Sequence, residues 1–248
     1  MAHDSEAFIG IATSKRKNAV AIAEAGRAGE VRYWGEIPTG ETATRKLVAK
    51  LEAKYSKLTF CYEAGPTGYG LCRTIERLGH GCEVVAPSLI PRKAGNRVKT
   101  NRRGAESLAK LLRAGELTAV WVPDEHHEAV RDLSRAREAA VKDLTAKRQQ
   151  ISSLLLRHGL HYVGKTWGKK HRSWLAQVRL AHHGTRLALE ELMVAEAEGQ
   201  ARVGRLEAAI REAVSGWSLA PLVTALMALR GMQLINAGVV LGEIRGMS

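Results

Sequence analysis

Aromatic residues are scarce in this chain: 5% of 248 residues, with only two Phe. Recognition built mainly on stacking platforms for unpaired bases is therefore disfavoured. Cysteine is nearly as rare. Cys61, Cys72 and Cys82 form an odd set without a CxxC pair, which indicates neither a disulfide framework nor a zinc ribbon. The opening Met-Ala-His-Asp-Ser-Glu lacks the basic and apolar regions of a signal peptide. No apolar run approaches the roughly eighteen residues of a membrane span. These absences predict a soluble, cytoplasmic protein with no membrane partner. The glycine-containing stretch Gly65–Gly70 has no Lys-Ser/Thr and is not a P-loop. What the chain does have is ordinary globular composition, 45% hydrophobic and 25% charged, so wholesale disorder is excluded as well.

Acidic residues are missing from two particular places. The formal net charge is +13. Residues 92–115 carry Arg92, Lys93, Arg97, Lys99, Arg102, Arg103, Lys110 and Arg113 against Glu106 alone. Residues 142–172 carry Lys142, Lys147, Arg148, Arg157, Lys165, Lys169, Lys170 and Arg172 against Asp143 alone. The rest of the chain is close to neutral. Clustering of this kind repels itself unless a polyanion relieves it, so the two segments predict nucleic-acid contact; solvated helix faces are the competing explanation. Trp167 and Trp174 flank the second cluster and fit either base stacking or helix packing. The pairs His126–His127, His158–His161 and His182–His183 lack acids or Cys at metal spacing and read as solvated or phosphate-proximal.

Hydrophobic periodicity divides the chain. Three β-compatible runs, Ala7–Thr13, Asn18–Ala25 and Glu30–Pro38, are separated by turn-like stretches and read as an antiparallel meander. A helix carrying Leu47, Val48 and Leu51 follows, then a strand at Leu58–Glu63, a helix at Thr67–Leu78, a strand at Cys82–Ala86 and a helix at Asn101–Ala114. This order predicts an α/β fold, a mixed sheet with flanking helices. Beyond Pro123 the pattern becomes all-helical and coiled-coil-like. The seam Val130, Leu133, Arg137, Ala140, Leu144, Lys147, Ile151 and Leu154 has two basic members, which favours a helical hairpin or dimer arm over a long regular coiled coil. Gly159–Trp167 interrupts it, and Ser173–Ser215 continues as helix. The expected organisation is 1–123, 124–215 and 216–248.

Such a sheet suits the RNase H/RuvC-like group, whose chemistry needs carboxylates converging from separate elements to hold two Mg²⁺ ions. Glu63 stands where a buried strand meets a Gly/Pro turn, a common place for a functional acid, although the dipole of the following helix would also explain it. The segment Tyr62-Glu63-Ala64-Gly65-Pro66-Thr67-Gly68-Tyr69, with Val84-Val85-Ala86-Pro87-Ser88-Leu89-Ile90-Pro91 and Lys99-Thr100-Asn101-Arg102-Arg103-Gly104-Ala105, resembles the DEDD transposases of bacterial insertion sequences. These are the Piv/MooV-like recombinases, which act with a bridge RNA. The resemblance is strongest over about 7–158. Ala228-Leu229-Arg230-Gly231-Met232 and Ala237-Gly238-Val239-Val240-Leu241-Gly242-Glu243-Ile244 are similar to the opening of the family's C-terminal domain, so 216–248 is expected to be a truncated start of it.

The resemblance implies DNA transposition and recombination, Mg²⁺ as cofactor, and as partners DNA, a structured guide RNA and a second copy through the helical arm. It also implies Asp at three positions where this chain has Ala12, Asn101 and Gly104. Only Glu63 remains as a catalytic carboxylate and metal ligand, and one carboxylate cannot hold two divalent cations. Mg²⁺ is therefore expected to bind weakly or not at all. Glu106, two residues beyond Gly104, is about 200° around the helix and should face away. The family's nucleophilic Ser has no counterpart among the serines present. The nucleic-acid contacts are expected at Arg92, Lys93, Arg97, Lys99, Arg102, Arg103, Lys147, Arg148, Lys169, Lys170 and Arg172. Three functions stay open: a DNA-binding transposase relative with degraded catalysis, an active recombinase using substitute ligands, and a non-enzymatic partner or inhibitor of a full-length transposase.

Overall fold

The computed structural model describes residues 5–26, 29–91 and 100–244. The chain divides into two compact units, Met1–Val122 and Pro123–Ser248.

In the first unit, strands β1 (Glu6–Ala12), β2 (Lys17–Glu24), β3 (Val31–Pro38), β4 (Lys57–Glu63) and β5 (Gly81–Val85) form one sheet in the order β3-β2-β1-β4-β5. The β1–β2 and β2–β3 pairs are antiparallel, whereas β1–β4 and β4–β5 are parallel. The helices are α1 (Glu41–Glu52), α2 (Gly70–Arg77) and α3 (Asn101–Ala114). This is the RNase H/RuvC-like mixed α/β arrangement that the sequence predicts.

Side-chain size sorts the two faces of the sheet. Alternation sends Ile9, Ile11, Val20, Ile22, Phe60 and Tyr62 into a core of large side chains with Leu47, Val48 and Leu51 of α1 and Ile75 of α2. The opposite face presents Ala19, Ala21 and Ala23, packed against Ala105 and Ala109 of α3. Gly10 completes it: a Cβ there would overlap the Ala105 carbonyl oxygen and the Ala109 amide nitrogen. Small residues on both surfaces let α3 lie unusually close to the strands. The helix is bounded as its sequence dictates. Thr100 caps it, its hydroxyl accepting from the Arg103 amide at 3.2 Å, and Gly115 ends it in the left-handed conformation. The α2 helix begins at Gly70 rather than Thr67, because the Tyr62 hydroxyl holds the Gly68 carbonyl and Thr67 meets Thr13 at 3.3 Å.

The second unit is helical: α4 (Glu125–Arg157), α5 (Lys169–Gln177), α6 (His183–Ser215), α7 (Ala220–Met227) and α8 (Leu234–Glu243). Helices α4 and α6 have 33 residues each, about 50 Å. They pair antiparallel, with Arg137 on Glu207, Asp143 on Arg202, Leu144 over Gly199 and Arg148 on Glu196. The apolar seam of α4 is thus covered by α6 of the same chain, and the basic seam position Arg137 is satisfied by a 2.8 Å ion pair. The expected continuous helix over Ser173–Ser215 is two helices instead, because Val178 turns extended and ends α5.

His127 departs from the solvated role expected of it. It is buried against Trp217, its Nε2 lies 3.0 Å from the Gly242 carbonyl, and burial pushes its pKa below the usual histidine value. His126 bonds the Ala213 carbonyl at 2.7 Å, and these contacts tie α4 to α8 and α6.

Candidate active site and nucleic-acid interface

The four positions singled out by sequence lie at one end of the sheet. In the parallel β1–β4 register Ile11 stands opposite Tyr62, which brings Ala12 and Glu63 side by side at the strand ends. Both belong to the face beneath α3. Ala12 packs with the alanine layer, and Cys61, two residues before Glu63, contacts the Leu108 carbonyl of α3. From above, Gly104 closes on the same spot: a Cβ at this position would sit 3.6 Å from the Ala12 Cβ. Asn101 opens the helix one turn earlier and is exposed. Residues from β1, β4 and α3 therefore converge, as a multi-carboxylate centre requires.

The donors present do not fit a pair of divalent cations. Glu63 supplies one carboxylate and Asn101 a neutral amide oxygen, while Ala12 and Gly104 supply nothing. Bridging two ions takes several carboxylates from separate elements. Among the described residues, no group of three or more His, Cys, Asp or Glu is placed to hold a metal ion. Glu106 is engaged elsewhere. Arg102 holds it at 2.9 Å, and the same guanidinium lies 5.0 Å over the Tyr33 ring of β3. The thiols add no nucleophile: burial pushes Cys61 far above the usual thiol range, and a hydrogen bond with Cys72 does the same to Cys82.

The expected nucleic-acid contacts fall into three groups. Arg92, Lys93, Arg97 and Lys99 lie outside the described residues. Arg102 and Arg103 sit on the exposed first turn of α3, beside Asn101 and Gly104, and Arg102 is shared with Glu106 and Tyr33. Arg113, also counted in the first basic cluster, donates to the Glu24 and Gly29 carbonyls and anchors the β2–β3 connection.

In the second cluster, Arg148 and Arg172 converge on Glu196, whose side chain is only 2% exposed. Arg148 Nε reaches Oε1 at 2.9 Å, and Arg172 forks onto both oxygens at 2.8 and 3.0 Å. Burial alone would raise the Glu196 pKa, but the hydrogen bonds and charges of Arg172 and Arg148 outweigh it and hold the carboxyl below its usual range. Both guanidiniums also lie over the Trp167 ring, at 5.0 and 6.0 Å. His171 completes the cluster. It accepts from the Trp167 amide at 3.0 Å, stacks on Trp174 and meets Tyr162 edge-on. Trp167 and Trp174 are thus half-buried members of a packed cluster, with ring contacts to Arg148, Arg172 and His171. Lys169 and Lys170 remain exposed.

Residues 9–159 match the family model of the DEDD transposases of IS110-type elements, described as a transposase. The chain is 54% identical over 233 residues to "Putative transposase y4qE" of Sinorhizobium fredii (strain NBRC 101917 / NGR234), covering 94% of this chain and 56% of that protein. It is 36% identical over 143 residues to the transposase for insertion sequence element IS1533 of Leptospira borgpetersenii, covering 56% of this chain and 41% of that one. The chain thus spans about half the length of the curated relatives it matches. Among the described residues no helix is long and apolar enough to cross a membrane. The fold and these matches agree: this chain belongs to the DEDD transposase family of IS110-type insertion sequences.

Proposed function

We propose that this chain is a DNA-binding member of its transposase family in which metal-dependent strand transfer has been lost. One observation carries the reading: the positions that converge beneath α3 hold a single carboxylate, Glu63, with a methyl at Ala12, an amide at Asn101 and a bare Cα at Gly104. Mg²⁺ supplies Lewis-acid and water-activating chemistry where such a centre is complete. Here Glu63 and Asn101 offer too few oxygens to hold two ions. DNA binding draws support from the two basic segments, which together hold the whole positive surplus. A structured guide RNA is the further partner that the family resemblance suggests. Self-association through the helical hairpin, and 216–248 as the start of a further domain, belong to the same reading.

Two assays test it. Duplex DNA binding should weaken steeply with salt, log K falling by about 0.9 per phosphate contact. Mn²⁺ binding, followed by calorimetry, should be undetectable in the unmodified chain and appear when Asp is restored together by Ala12→Asp, Asn101→Asp and Gly104→Asp. The 3.6 Å approach of positions 12 and 104 supports that design. A second reading, an active recombinase, is favoured by the retention of Glu63 at the strand end. Mg²⁺-dependent cleavage by the unmodified chain, abolished by Glu63→Ala, would establish it and overturn the first.

A further inference from the structure

From Leu144 to Leu189 the chain contains nine Lys/Arg and no Asp or Glu. The fold sorts these nine cations. Arg148 and Arg172 are taken by the buried Glu196. Arg179 donates to the Ala176 and Val178 carbonyls, and Arg186 to those of Leu180 and Ala181. Lys147 contacts Gln150 at 3.4 Å on its own helix. Arg157, Lys165, Lys169 and Lys170 are left. All four are exposed, and among the described residues none forms an ion pair.

Their positions share one end of the hairpin. Arg157 is the last residue of α4, Lys165 lies in the connection to α5, and Lys169 and Lys170 open α5. His158, His161, His182 and His183 are exposed at the same end. Two Lys at the start of a helix oppose its dipole, and the first turn of α5 holds no acid to offset them. Such a surface costs stability until an anion approaches it.

The connection leading to those lysines is fixed. Trp167 is the one non-glycine residue with positive φ (64°) among the described residues, and its amide is held by His171. Its ring lies under the Arg148 and Arg172 guanidiniums, and Trp174 stacks on His171. With those rings occupied, the tip has cations for phosphates but little for unpaired bases. That favours a duplex backbone over a single strand.

We infer that the hairpin tip grips the phosphate backbone of duplex DNA through Arg157, Lys165, Lys169 and Lys170, and that Glu196 with Arg148 and Arg172 frames this grip without touching DNA. The inference rests on the reading that the chain binds DNA, and it moves Arg148 and Arg172 from contact to positioning.

The test is fluorescence anisotropy on the full chain, titrating salt against a labelled DNA duplex of about 20 base pairs. The quadruple variant R157Q/K165Q/K169Q/K170Q, whose fold is checked by circular dichroism, should lose about 3 to 4 from the slope of log K against log salt. Its affinity near 0.15 M salt should fall at least about a hundredfold. The control K46Q/K50Q on α1 should keep the wild-type slope. Arg172→Gln should lower the unfolding temperature while leaving the slope, measured well below unfolding, within about 0.5 of wild type; a loss of about 0.9 would make Arg172 a phosphate contact and overturn the frame. An unchanged slope in the quadruple variant sinks the grip but spares DNA binding as such. Tighter binding of the single strand than of the duplex overturns the choice of ligand. Salt-independent or absent binding by the wild type removes both the inference and the reading beneath it.

Discussion

Glu63 and Glu196 are the two acids around which the units are most easily compared. Glu63 stands half-buried at a strand end, on a face built to bring several side chains together, with a methyl and a bare Cα where further donors would be. Glu196 is buried and receives three charged hydrogen bonds from two arginines that are 24 and 48 residues away in sequence. The first site has convergent geometry with a single carboxylate in it. The second has strong chemistry serving geometry. Carboxylates with function in mind are not always the ones the fold depends on, and unfolding experiments separate the two.

The largest difference should come from truncating each acid. Glu196→Ala strands two guanidiniums in a packed aromatic cluster. A fully buried ion pair broken from one side costs about 3–5 kcal/mol. Because Arg148 and Arg172 are 25% and 42% exposed, solvent recovers part of this and roughly 2 kcal/mol is expected in denaturant unfolding. Glu63→Ala should stay within about 0.5 kcal/mol. Equal losses at the two positions would erase the contrast.

Next is the mount of the first site. Gly10→Ala forces a methyl into the backbone of α3 and should cost about 1–3 kcal/mol by the same measurement. A neutral result would mean that α3 is free to lift from the sheet.

Acid should reach the second unit first. Burial lowers the pKa of both His127 and His171, favouring their neutral forms in the folded chain. Their unfolded counterparts gain protons as pH drops through the ordinary histidine value of 6.5, so the stability they contribute is present above it and is lost as pH falls through the depressed folded values. Glu196, also depressed, contributes above its unfolded value of 4.5 and is lost at lower pH still. Unfolding followed at Trp167, Trp174 and Trp217 should therefore weaken from about pH 6.5 downward. Replacing His127 and His171 by Gln should flatten that slope. The smallest effect runs the other way. Gly104→Ala meets only ordinary contact with Ala12 and should stabilise α3 by up to about 1 kcal/mol.

The sheet is legible in the sequence because its signals are local. Alternation of large and small residues places β1 and β2, and Thr100 and Gly115 delimit α3 at Asn101–Ala114. The start of α2 is misread because two hydroxyl contacts, from Tyr62 and Thr13, hold Thr67–Tyr69 as loop. Neither contact has a signature in spacing. The same is true of Glu196. Nothing around it marks it as the partner of Arg148 and Arg172, so those arginines read as free cations until the chain is folded. Convergence of positions 12, 63, 101 and 104 is visible only through the family resemblance, since strand register and helix placement bring them together.

The close seating of α3 has a consequence for how this protein tolerates change. Gly10, Ala105 and Ala109 fix how near the helix lies, whatever occupies the positions at its first turn. A library randomised at 12, 63, 101 and 104 should yield mostly folded members, and one randomised at 10, 105 and 109 mostly unfolded ones. The payload and its mounting are separable, so new chemistry can be installed here without rebuilding the protein.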